Sequence, residues 1–230
     1  MHDVLSGYIE RKEMPGMVSL VSHDDDVEVA VLGTRAFDSP APMTRDTIFR
    51  IASITKPITA VAAMILVEEC KIRLDESIEP WLPELADRRV LRSLSSDIAD
   101  TVPAVRSITV RDLLTSVMGF GSVMALPNTY PIQAHIRQLK IGGDGPPRPA
   151  QAPSTDEWMR RLGSLPLMAQ PGERWMYNVS VDVLGVLIER VAGKSFGEFM
   201  RERIFDPLGM RDTAFSVPRK SWIVFFPVIT

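Results

Sequence analysis

A single cysteine, Cys70, in 230 residues leaves no internal disulfide to form, so nothing in the chain depends on an oxidising compartment. Cys70 reads as a small buried hydrophobe on a helix. Histidine is nearly as scarce: His2, His23 and His135 fall in terminal or loop contexts, and no Gly-x-Ser-x-Gly is present. A Ser-His-Asp hydrolase is thereby disfavoured. Neither His-Glu-x-x-His nor paired Cys-x-x-Cys occurs, so no metal site is expected. The net charge is only −3 and no run of Lys or Arg supplies the electrostatic footprint of a nucleic-acid binder. Gly119-Phe120-Gly121 lacks the third glycine of a dinucleotide loop. The longest mostly apolar run, Ile58 to Val67, stops at Glu68 and Glu69, short of the ~20 residues that span a bilayer. No transmembrane segment is expected. Met1 to Pro15 has no apolar signal-peptide core, which implies a cytoplasmic location.

What remains is an ordinary globular composition, 45% hydrophobic and 24% charged, long enough for one large or two small domains. Apolar residues at helical spacing from Val4 to Lys12 predict a short helix ending before Pro15 and Gly16. Met17–Val21 and Val27–Leu32 alternate as strands. The polar stretch His23 to Asp26 between them reads as a solvated hairpin turn rather than a metal site. After a Pro-containing loop, Thr47–Ile51 is a short β-type run leading into Ser53 and an apolar helix that reaches about Cys70. Pro57 is tolerated there only in the first turn, which fixes the helix start near Ser53. From Leu74 onward the pattern turns helical, at Val110–Ser116, Thr155–Leu162, Ser180–Ala192 and Ser195–Ile204, with an irregular Gly- and Pro-rich loop at Gly142–Pro153.

Ser53-Ile54-Thr55-Lys56 is a Ser-x-x-Lys motif at a helix N-terminus, and three-residue spacing puts both side chains on one helix face. A serine hydroxyl is a poor nucleophile until a neighbouring base takes its proton. A lysine desolvated against apolar walls can act as that base, and the helix N-terminus favours the charge that develops. Ser and Lys are common enough to meet at this spacing by chance, in which case Ser53 would be an N-cap and Lys56 would point to solvent. Context has to decide between the two.

The surrounding segments resemble the serine β-lactamase and penicillin-binding-protein superfamily, which includes class C β-lactamases, D-Ala-D-Ala peptidases and family VIII carboxylesterases. Phe49 to Lys56 resembles its nucleophile segment. Leu74-Asp75-Glu76-Ser77-Ile78 is similar to the stretch after its first long helix, and Ile108 to Thr115 to its next helical segment. Gln170-Pro171-Gly172-Glu173-Arg174-Trp175-Met176-Tyr177-Asn178 resembles the region that ends in Tyr-Ser-Asn, with Tyr177 at the place of the second catalytic group. Asp182 to Gly185 and Phe205 to Thr213 continue the likeness in order, to about residue 217.

The resemblance implies an α/β (α+β) fold of the β-lactamase/transpeptidase type, an antiparallel sheet with flanking helices plus an all-helical subdomain. Residues 1–73 would form the N-terminal part of the α/β domain, 74–215 a mainly helical subdomain carrying Tyr177, and 216–230 an atypical tail. It also implies a serine hydrolase that works through an acyl-enzyme, with Ser53 as nucleophile and Lys56 and Tyr177 as proton acceptors, and with no cofactor. The expected substrate is a small-molecule carboxylic ester, with β-lactams and D-Ala peptides as further candidates. The alternative is a catalytically impaired penicillin-binding-like module that binds or scaffolds.

The sequence departs from the pattern in three places. Asn178 and Val179 stand where Ser and Asn would be, which weighs against β-lactam turnover and makes an ester easier to accept. Ser116-Val117-Met118-Gly119 replaces a His-Thr-Ser-Gly, so Met118 and Phe120 are read as packing residues. No Lys-Thr-Gly, His-x-Gly or Trp-x-Gly follows Tyr177. That motif's strand supplies an oxyanion donor, so the expected chain is C-terminally truncated, lacks the last strands and is impaired in rate.

Overall fold

A computed structural model of the chain describes residues 2–142 and 152–217. The expected Gly142–Pro153 loop lies for its greater part outside the described residues, as does most of the atypical tail. Two compact units are present, one within Met1–Ser53 and Met210–Thr230 and the other within Ile54–Gly209.

In the first unit, helix α1 (His2–Glu10) packs on an antiparallel hairpin, β1 (Gly16–His23) and β2 (Asp26–Gly33). The hairpin is in unbroken register from Gly16 opposite Gly33 to His23 opposite Asp26. Its turn is therefore Asp24-Asp25, with Asp24 at a φ of 50°, a conformation that Asp tolerates better than most residues. The β-type run expected at Thr47–Ile51 does not form a strand. Thr47 is buried, and its Oγ1 accepts the Thr44 N–H at 3.0 Å while its own N–H bonds the Thr44 carbonyl. Ile48 next to it forms a lone β-bridge rather than part of a strand.

In the second unit the long helix α2 (Thr55–Glu68) follows a 3-10 turn at Ala52–Ile54. Pro57 sits in its first turn as the sequence requires. Thr59, Ala62, Ala63 and Leu66, at i, i+3, i+4 and i+7, form its buried face. Cys70 is a correction: α2 ends at Glu68, the chain turns with Cys70 at a φ of 56°, and the thiol is exposed rather than buried.

The motif segments after α2 come together in space. The N–H groups of Ile78, Val110 and Arg111 bond the carbonyls of Ile108, Glu76 and Leu74, and Arg111 clamps Asp75 at 2.6 and 2.8 Å. Helix α3 (Val110–Leu114) opens with a capping box in which Thr109 and Asp112 satisfy each other's backbone N–H. Helices α4 (Pro131–Leu139), α5 (Thr155–Gly163), α6 (Val179–Ala192) and α7 (Phe196–Met200) follow, the last running on into a π-helical turn at Arg201–Phe205. Helix α6 packs against α2, α3 and α7, and its buried residues Val183, Leu184, Leu187 and Ile188 complete the core. The mainly helical stretch also holds one short antiparallel pair, β3 (Arg89–Leu91) with β4 (Thr101–Pro103). Among the described residues no helix is long and apolar enough to cross a membrane.

Candidate active site

Tyr177 is held by its backbone before its side chain does anything. The turn at Pro171-Gly172 is closed by Glu173 N–H on the Gln170 carbonyl, and Gly172 and Met176 donate to the carbonyls of Val117 and Ser116, both at 2.8 Å. Ser122 N–H then bonds the Tyr177 carbonyl at 2.8 Å. This needs close approach: a Cβ on Gly121 would lie 2.7 Å from the Met176 Cβ and 2.8 Å from the Tyr177 oxygen. Met118 and Phe120 are fully buried beneath, which agrees with their reading as packing residues.

Directly after Tyr177, Asn178 adopts φ 86° and ψ −68° and serves as the N-cap of α6 without a side-chain capping bond. This is the positive-φ γ-turn region, rare and strained for any residue with a Cβ, at a cost of roughly 1–3 kcal/mol. Asn178→Gly is therefore expected to stabilise the protein by about 1 kcal/mol, the relief of strain exceeding the extra freedom gained by the unfolded chain. Thermal unfolding checks this. A lower Tm in the variant would mean that the Asn178 side chain contributes more than its backbone costs.

Lys56 is the second residue of α2 and is half-buried. Its Nζ donates to Tyr177 Oη at 3.2 Å and stands 4.6 Å from the centre of the same ring, although 121 residues separate the two in sequence. The α2–α6 packing is what brings them together. A single hydrogen bond thus joins an amine nitrogen to a phenol oxygen, an arrangement through which one proton can be exchanged between the two groups. Ser53 is exposed, in the middle of the 3-10 turn that enters α2. The N-cap position of α2 is Ile54, with no side-chain capping bond. Ala52, just before it, is held at a φ of 43°, a left-handed conformation that costs a residue with a Cβ energy to keep.

A residue not singled out from the sequence also bears on the pair. Asp182, in the first turn of α6, is crowded enough that desolvation pushes its carboxyl up to about 6, while the charge of Lys56 pulls it down. Solvent reaches its outer side and limits the effect. Its only sequence signal was its place in the Asp182-Val183-Leu184-Gly185 stretch.

The chain belongs to the beta-lactamase family, whose model, described as Beta-lactamase, matches residues 1–222. It is 38% identical over 205 residues to Protein Rv1367c of Mycobacterium tuberculosis (strain ATCC 25618 / H37Rv), covering 89% of this chain and 48% of that protein. To esterase EstB of Burkholderia gladioli it is 31% identical over 208 residues, covering 90% and 48%. The structure of EstCE1, a hydrolase with promiscuous acyltransferase activity, superposes with a TM-score of 0.81 at 27% identity, over 97% of this chain and 54% of that one. The fold is thus the α+β fold of this family, and the chain spans about half the length of the curated relatives it matches.

Proposed function

We propose that this chain carries the acylation machinery of a serine hydrolase acting on carboxylic esters. The observation that carries the reading is the Lys56–Tyr177 hydrogen bond, formed between two distant motifs and next in sequence to a serine three residues upstream of the lysine. In this reading Ser53 Oγ attacks the ester carbonyl as its proton passes to the Lys56–Tyr177 pair. The bond to the leaving alkoxide breaks, the pair returns the proton to that oxygen, and water releases the acyl group from Ser53 in a second, equivalent cycle. An ester is favoured over a β-lactam because Val179, buried as the first residue of α6, stands where an amide side chain would orient a lactam substrate. The relatives named as an esterase and as a hydrolase point the same way.

Hydrolysis of p-nitrophenyl butyrate and of nitrocefin by the protein and by Ser53→Ala tests this. The expected result is Ser53-dependent ester turnover that exceeds nitrocefin turnover. Ester hydrolysis that persists in Ser53→Ala, or nitrocefin as the better substrate, would overturn it.

A further inference from the structure

Beside Tyr177 lies a recess of about 210 Å³ whose walls include Leu94, Val123, Met124, Tyr130 and Trp175. Trp175 and Met124 are 62% and 89% exposed, and the Trp175 ring stands 5.9 Å from that of Tyr177, tilted by 36°. Large apolar side chains grouped in the open around a hollow mark a binding surface more often than a stray surface residue does. The hollow is smaller than the roughly 300–1,000 Å³ of a whole-ligand pocket, so it suits one part of a substrate.

One charged residue, Arg174, joins the lining, and no acidic residue does. Elsewhere in the molecule Arg106, Arg111, Arg190 and Arg203 each close on a carboxylate. Arg174 makes no hydrogen bond or ion pair among the described residues. An apolar hollow with an uncommitted guanidinium on its wall is complementary to an apolar group that carries an anion, and a guanidinium fork matches a carboxylate best.

We propose that the recess formed by Trp175, Met124, Tyr130 and Arg174 binds the non-reacting end of the substrate, and that this end is an apolar chain bearing a carboxylate. The proposal rests on the ester-hydrolase reading, because Tyr177 is both a wall of the recess and the partner of Lys56, so a group held there lies next to the proton-accepting pair. The substrate class is then an ester whose acyl or alcohol part ends in a carboxylate, such as a half-ester of a medium-chain dicarboxylic acid. Arg174 sets its orientation, and Trp175 and Met124 cover its methylene groups.

The test separates binding from turnover by using ligands that are not esters. Octanoate and octan-1-ol are titrated into the protein and into Arg174→Gln and Trp175→Ala, with binding read by saturation-transfer NMR. Octanoate is expected to bind about tenfold more tightly than octanol, with an affinity that falls as salt is raised. Arg174→Gln should weaken octanoate by about the same factor and leave octanol within about twofold, whereas Trp175→Ala should weaken both. Equal binding of acid and alcohol by the wild type, or octanoate binding that Arg174→Gln does not change, overturns the proposal. Neither ligand can be hydrolysed, so an inactive Ser53 leaves the outcome intact and a failed esterase assay is not mistaken for a failed subsite.

Discussion

Lys56→Ala is expected to slow acylation of Ser53 by about 10³-fold, and Tyr177→Phe by about 10²- to 10³-fold, with the fold unchanged in both. In the proposed mechanism the serine proton leaves while the Oγ–carbon bond forms and passes to the hydrogen-bonded Lys56–Tyr177 pair. Removing either breaks the same relay. The two losses should therefore not add, and the double variant should fall close to the slower single one. Lys56 also spans the Tyr177 ring, so Lys56→Ala leaves the phenol without its cation, while Tyr177→Phe leaves the lysine over a ring of similar shape with no oxygen to bond. Progress curves with p-nitrophenyl butyrate check the order. Additive losses would show two independent roles rather than one shared proton.

Asp112→Ala is expected to cost about 2–4 kcal/mol of folding stability, the largest effect anticipated for a residue outside the site. The Asp112 side chain is only 5% exposed and accepts both Arg106 nitrogens, at 2.5 and 2.9 Å, as well as the Thr109 N–H at 2.9 Å. Removing the carboxylate breaks the pair and the capping box of α3 together. The loss stays below the ~3–5 kcal/mol of a fully buried pair because the Arg106 side chain, 41% exposed, can still be hydrated. Burial alone would raise the Asp112 carboxyl, but the hydrogen bonds from Arg106 and Thr109 outweigh it and hold the group below the usual carboxylate range. A depressed folded-state pKa stabilises above the unfolded value of about 3.9, and that stability is lost as pH falls through the lower folded value. Urea unfolding at pH 7 and near pH 3 should thus show a gap between wild type and Asp112→Asn that narrows in acid. A gap that widens would contradict the assignment.

These effects fall on residues that the sequence exposed to very different degrees. The hairpin of β1 and β2, helix α2 with its early Pro57, and α6 were legible because their apolar residues recur at period two or 3.6 over many positions. Helix α4 was not read. Gln133, His135, Arg137 and Gln138 interrupt its apolar residues, and its plainest signals are Pro131 at the first position and the Gln133 side chain bonding the Tyr130 N–H. Strands β3 and β4, three residues each, are too short to show alternation and are held by one another and by Leu167. At Cys70 a local turn invisible to periodicity redirects the chain, while Thr47–Ile51 keeps only a single β-bridge at Ile48.

At the site, Lys56 and Tyr177 were legible as two motif positions, but nothing in either motif says that their side chains meet. That is set by the packing of α2 on α6 and by the threading of Gly121 past Met176, both tertiary facts. The strain at Asn178 and the crowding of Asp182 were equally beyond reach, since each depends on what surrounds the residue rather than on its neighbours in sequence. Trp175 and Arg174 lay in a motif already quoted, yet only the recess gives them something to bind.

If Lys56 and Tyr177 together activate Ser53, the rate at which a fluorophosphonate labels the protein depends on both. The adduct is located by peptide mass spectrometry in the wild type and in Tyr177→Phe. A single adduct on Ser53 is expected in the wild type, with labelling slowed about 10²-fold or more in Tyr177→Phe, which should unfold at the same temperature. Labelling of another residue, or of Ser53 at the same rate without the Tyr177 hydroxyl, would contradict it.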